Sequence, residues 1–197
     1  MNRPNNNATI ILASASPRRI ELLRSLGLDF QASASEVSEI SESGMAIDEL
    51  VEQNALAKAQ DVAGRFKAGL VIGADTVVWC EGRIFGKPVG LEDARRMLRQ
   101  LAGRTHKVYS GVAVLRIEDG SHRTAHAITD VTFRPLSESQ IARYFRMIHP
   151  LDKAGAYAIQ GAGGIIVEKI SGCYYNVVGL PLTTLDGLLA HFDTRLL

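Results

Sequence analysis

Leu70-Val71-Ile72-Gly73-Ala74-Asp75-Thr76-Val77-Val78-Trp79-Cys80 is the stretch that decides the fold. Its β-branched residues on both sides of Asp75 read as an interior strand of an α/β sheet. A carboxylate in such a strand costs several kcal/mol unless something compensates it. A metal ion, a basic partner or a proton would serve, and each is also what an active site needs. The alternative is an aspartate at a strand end that caps a turn.

Working outward, strands and helices alternate. Ile10 to Leu12 is a short strand, and Ser16-Pro17 opens a helix that runs through Leu26 and is closed by Gly27. A second strand is expected over Asp29 to Ala32, a polar acidic loop over Ser33 to Gly44, and a helix over Ile47 to Phe66. Glu81-Gly82 turns the chain into a hairpin partner at Arg83 to Phe85. A helix follows over Leu91 to Leu101, then strands over Lys107 to Ile117 and Arg123 to Phe133. Ser137 and Gln140 form a capping box before a helix to Ile148. Ile165 to Ile170 reads as a strand and Pro181 to Phe192 as the last helix. The class is α/β, with one two-lobed domain over residues 1–197.

The 197 residues include 22 Lys plus Arg against 21 Asp plus Glu, so no excess positive charge is available to coat nucleic acid. Cys80 and Cys173 have no metal-ligand spacing, and two distant thiols fit a reducing cytoplasm. Met1 to Ala8 lacks the apolar run of a signal peptide, so the match of Asn7-Ala8-Thr9 to a glycosylation acceptor carries no weight. No stretch reaches the length of a membrane span.

Several basic residues stand in unusual places. Arg18 and Arg19 occupy a helix first turn, where the dipole disfavours cations unless an anion binds between them and the free amides. Ser14 and Ser16 supply further parts of a phosphate cradle. Lys58 falls on the apolar stripe Ile47, Val51, Ala55, Lys58, Val62, so it either snorkels to solvent or lines a cleft. Gly86-Lys87-Pro88 is not a P-loop, because the glycine spacing is short and Pro88 replaces the Ser or Thr. Asp152 to Gly161 has no amphipathic period, and reads as poor core material and good ligand-loop material. Cys80, Cys173, Trp79 and the five histidines default to packing or surface.

Six segments together resemble the Maf family of nucleoside triphosphate pyrophosphatases, also called septum formation inhibitor proteins. They are Ser14-Ala15-Ser16-Pro17-Arg18-Arg19, Asn54-Ala55-Leu56-Ala57-Lys58-Ala59, Gly73-Ala74-Asp75-Thr76-Val77-Val78, Gly86-Lys87-Pro88, Asp152-Lys153-Ala154-Gly155-Ala156-Tyr157 and Asn176-Val177-Val178-Gly179-Leu180-Pro181-Leu182. The resemblance implies an extended mixed sheet flanked by helices, with two lobes around a deep central cleft, as in the inosine triphosphatase type. It implies hydrolysis of a nucleoside triphosphate to the monophosphate and pyrophosphate with Mg²⁺ or Mn²⁺. Asp75-Thr76 with Ile159-Gln160-Gly161 is similar to the branch acting on dTTP and UTP. A homodimer is also implied.

On this basis Asp75 is the expected base. Ser14, Ser16, Arg18, Arg19, Lys58 and Lys87 are the expected phosphate ligands, and Asp75 and Glu39 the metal ligands. Glu36 and Glu42 stand as alternatives to Glu39. Arg18, Thr76 and Gln160 are the expected specificity residues; the Gln160 amide offers the donor–acceptor pair complementary to the imide of thymine or uracil. Competing readings are a house-cleaning pyrophosphatase for modified nucleotides and a nucleotide-binding regulator of septum formation.

Overall fold

β3 (Leu70–Cys80) is an interior strand in the computed structural model, which describes residues 8–40 and 44–197. Residues from Leu70 to Asp75 are all buried. β1 (Ile10–Leu12) pairs with it in parallel, and β2 (Gln31–Ala32) pairs in parallel with β1. β4 (Arg83–Phe85) returns antiparallel to β3 through Glu81 and Gly82, whose φ angles are 48° and 82°. β5 (Thr105–Arg116), β6 (His122–Phe133) and β7 (Val167–Ser171) complete the sheet. Among the described residues it has seven strands in the order β2-β1-β3-β5-β6-β7, with β4 added to β3. Parallel and antiparallel pairs coexist, so the mixed sheet expected from the sequence is present.

The chain forms two compact units. The first comprises the chain up to Asp75 together with Ser110–Ala127 and Gly179–Leu197; the second comprises Thr76–Tyr109 and Ile128–Val178. In the first, α1 (Pro17–Ser25), α2 (Ile47–Ala63) and α6 (Leu182–Ala190) are the helices. Its core joins Ile11, Ala13 and Val71 to Ala55, Ala59 and Val62 of α2 and to Ala113 and Leu115. Close approach of α2 to the sheet depends on two glycines. A Cβ at Gly73 would lie 2.0 Å from the Ala55 carbonyl oxygen, and one at Gly111 would lie 2.2 Å from that of Val51. No larger residue fits either position without moving the helix.

The second unit holds α3 (Leu91–Leu101), α4 (Glu138–Tyr144) and α5 (Tyr174–Val178). Its core includes Val78, Phe85, Leu98, Leu101, Phe133, Ile141, Tyr144 and Tyr157. Gly155, Ala156 and Tyr157 are buried there, which corrects the reading of Asp152 to Gly161 as poor core material. The small residues let the backbone itself enter the core: a Cβ at Gly155 would sit 3.2 Å from Val78 and 3.4 Å from Leu101.

Element ends differ from the sequence reading where bonding tightens. α4 stops at Tyr144 rather than Ile148, because Arg146 and Met147 donate to carbonyls three residues back. α2 ends at Ala63 rather than Phe66 for the same reason, with Arg65 and Phe66 bonding to Val62 and Ala63. β7 starts at Val167 because Gly161–Ile165 is a 3₁₀ turn. The five-residue α5 has no period to announce it. No helix among the described residues is long and apolar enough to cross a membrane.

Candidate active site

Asp75 ends the first unit's part of β3 and is 3% exposed. Side chains at i and i+2 share a strand face, so Gly73 and Asp75 both look toward α2. The closeness that Gly73 permits brings Asn54 and Lys58, one turn apart on α2, onto the carboxylate. Lys58 Nζ donates to Asp75 Oδ1 at 2.7 Å, and Asn54 Nδ2 donates to Asp75 Oδ2 at 3.0 Å. Of the three expected means of compensation, the fold supplies a basic partner. Lys58 itself is buried, so it does not snorkel to solvent.

Lys58 Nζ also donates to Glu39 Oε1 at 2.6 Å. One cationic point therefore collects two carboxylates from separate elements. Asn54 fixes the loop that brings Glu39: its Oδ1 accepts from the Ile40 amide at 2.8 Å, and its Nδ2 donates to the Ile40 carbonyl at 3.0 Å. Of the alternative acids, the Glu36 amide donates to Asp61 Oδ2, and Glu42 lies outside the described residues. The Glu39 side chain is 46% exposed and the Asp75 side chain 4%, so one acid faces water and the other does not.

Arg19 stands beside this cluster on a rigid mount. Its Nε donates to the Gly179 carbonyl at 2.7 Å and its Nη1 to the Ala74 carbonyl at 2.9 Å and to Ser14 Oγ at 3.4 Å. Burial lowers the Arg19 pKa from the ordinary arginine value; the Asp75 charge opposes that shift, Arg18 adds to it, and Glu39 opposes it. All four charges thus act in one field. Ser14 Oγ also accepts from the Ser16 amide at 3.2 Å, which shapes the turn into α1. Ser16 is the N-cap residue, but its side chain makes no capping bond. Arg18 is half-buried in the first turn.

Ser14, Ser16, Arg18, Arg19, Glu39, Lys58 and Asp75 all belong to the first unit. Thr76, Lys87 and Gln160 belong to the second, where Lys87 is exposed and Thr76 and Gln160 are half-buried. Asn54 was given no role from the sequence, although its spacing of four from Lys58 puts both on one helical face.

A divalent cation fits the donors present. Hard cations choose oxygen, and Mg²⁺ takes one or two carboxylates and completes its shell with water and substrate phosphates. Glu39 Oε1 and Asp75 Oδ1 already meet at one cationic atom. Among the described residues no group of three or more His, Cys, Asp or Glu forms an all-protein cage.

The sequence model described as Maf-like protein matches residues 9–192. A dTTP/UTP pyrophosphatase of Gloeobacter violaceus is 50% identical over 186 residues, covering 94% of this chain and 97% of its own. One from Moorella thermoacetica is 51% identical over 183 residues, covering 93% and 94%. One from Methanococcoides burtonii is 45% identical over 181 residues, covering 91% and 93%. With a family match from the first strand to the last helix, the chain belongs to the Maf-like protein family.

Proposed function

We propose that this protein hydrolyses dTTP and UTP to the nucleoside monophosphate and pyrophosphate, by attack of water on the α-phosphorus. The observation that carries the reading is the convergence of Asp75 and Glu39 on one cationic point beside an anchored arginine. The names of relatives at about half identity support the substrate class.

In this mechanism Asp75 takes the proton of the attacking water. Its carboxylate is held by Lys58 and Asn54, one bond to each oxygen, and each oxygen keeps a lone pair for that proton. Glu39 and Asp75 would hold Mg²⁺ or Mn²⁺, which when bound acidifies water and offsets phosphate charge. Arg18, Arg19, Lys58 and Lys87 neutralise the triphosphate and steady the leaving pyrophosphate. Carbonyl anchoring of Arg19 sets its guanidinium before substrate arrives, so little ordering remains to be done at binding. Ser14 and Ser16 add hydroxyl donors. Thr76, Gln160 and Arg18 select the base; a site that hydrogen-bonds the imide rejects other bases by ~10⁴-fold, against ~10-fold for one methyl group.

Free Cys80 and Cys173 and a nucleotide substrate fit a reducing cytoplasm. The homodimer is tested by sedimentation. The deciding assay is purified protein with Mg²⁺ and each common triphosphate, reading pyrophosphate against orthophosphate. Pyrophosphate from dTTP and UTP above all others is expected. Orthophosphate, or a strong preference for methylated or deaminated nucleotides, would overturn the reading. An Asp75→Asn variant that releases no pyrophosphate yet still blocks septum formation would assign any division phenotype to binding alone.

A further inference from the structure

We propose that Tyr144 is a positioning residue for base selectivity, because its one hydroxyl fixes the backbone that carries Gln160. The inference rests on Gln160 reading the base, as argued above.

Everything it uses lies in the second unit. Tyr144 is the last residue of α4 and is 2% exposed. Its Oη donates to the Ala158 carbonyl at 3.2 Å and accepts from the Ala158 amide at 3.2 Å. Both backbone groups of one residue, two positions before Gln160, are thus satisfied by a single side chain. A tyrosine hydroxyl has one proton, and here that proton is committed to Ala158. Burial pushes the Tyr144 pKa up to about 12, with the Ala158 bond opposing, so the donor persists at any working pH.

The same stretch is held at other points. The Gly155 amide donates to the Gly86 carbonyl at 3.0 Å. Ala156 adopts φ 62°, a left-handed conformation that an alanine holds only when its surroundings impose it. Tyr157 Oη and His106 Nε2 are hydrogen-bonded at 2.9 Å, within an edge-to-face trio completed by Phe133. On the far side, Gly163 packs so tightly that a Cβ there would stand 1.7 Å from the Ala158 oxygen, and its amide donates to the Gln160 carbonyl at 3.1 Å. Gln160 therefore stands between two braced points, Ala158 and Gly163.

α4 is itself set firmly. Its start carries a two-way capping box between Ser137 and Gln140, and Glu138 pairs with Arg99 of α3. Ring and hydroxyl of Tyr144 do separate work: the ring fills the core with Ile141 and Phe133, and the hydroxyl addresses Ala158. Tyr144→Phe removes only the second.

The test compares kcat/KM for dTTP, UTP, CTP and GTP in wild type, Tyr144→Phe, Gln160→Ala and the double variant. Expected is a loss of selectivity of about tenfold in Tyr144→Phe, as the partly buried Ala158 amide and carbonyl lose their partner and the backbone before Gln160 is freed. In the double variant the two losses should not add, because both act through Gln160. Tyr157→Phe, which cuts the bond to His106 and keeps the ring, should move selectivity the same way, and stands in if Tyr144→Phe does not fold. Val131→Ala, a core truncation in the same unit, serves as the control: it lowers stability and keeps wild-type selectivity. If Gln160→Ala loses selectivity while Tyr144→Phe and Tyr157→Phe lose only stability, the proposal is overturned and the reading of Gln160 stands. If Gln160→Ala changes nothing, that reading fails and takes the proposal with it.

Discussion

Replacing Lys58 with methionine keeps an unbranched side chain on α2, shorter by the terminal nitrogen, and removes the charge that compensates Asp75. The side chains of the pair are 11% and 4% exposed, and their contact is 2.7 Å. Removing one partner of a buried pair costs about 3–5 kcal/mol, because the other charge stays behind without compensation. The retained Asn54 bond to Asp75 Oδ2 reduces that figure, and loss of the Lys58 contact with Glu39 adds ~1 kcal/mol at most because that acid is half exposed. About 3 kcal/mol is therefore expected for Lys58→Met. Asp75→Asn keeps the shape and leaves Lys58 with Glu39, so its cost should be about 1–2 kcal/mol. The double variant, with no buried charge to compensate, should recover about 2 kcal/mol relative to the sum of the singles. Urea unfolding followed by circular dichroism measures all three. A Lys58→Met variant within about 0.5 kcal/mol of wild type, or strictly additive singles, would refute the claim that Lys58 compensates a buried charge.

Other outcomes follow from the same geometry. Asp75→Asn should fold and show no turnover, measured as pyrophosphate release; near-normal release removes Asp75 as the base. Asn54→Ala should cost about 2 kcal/mol, since it strands the Ile40 amide and carbonyl and a bond to Asp75, and should weaken Mg²⁺ binding measured by calorimetry by releasing Glu39. Unchanged metal affinity would show that the Ile40 loop is held by other means. His106 is held below the ordinary histidine value of 6.5, to about 4, by burial, with Asp130 opposing. Below pH 6.5 the unfolded chain then binds a proton that the folded chain refuses, so this group's contribution to stability falls as pH drops toward 4. Over that window the loss is on the order of 3 kcal/mol. His106→Gln should flatten the slope of urea stability against pH between those limits; an unchanged slope would contradict the burial of a neutral imidazole.

The sheet strands and most helices were legible because their signals are local: β-branched runs, Ser16-Pro17 at a helix start, Ser137 and Gln140 in a capping box. The Asp75 anomaly was legible for the same reason, since an acid among β-branched residues stands out in one dimension. Its partner was not. Periodicity placed Lys58 on the inner face of α2, but only the approach that Gly73 permits decides that it meets Asp75. Asn54 escaped notice because a buried amide has no compositional mark, and its bonds go to a loop fourteen residues away. Asp152 to Gly161 was misread in part because glycine and alanine look like loop material, whereas here they admit backbone into a core. Helix ends were set by three-residue bonding that no propensity records.

The most direct test of the account is hydrolysis of dTTP in ¹⁸O-labelled water with Mg²⁺, with the products separated and weighed by mass spectrometry. Attack on the α-phosphorus puts the label in the nucleoside monophosphate and leaves pyrophosphate unlabelled. Label in pyrophosphate or in free orthophosphate would contradict it, because water would then have attacked elsewhere on the triphosphate.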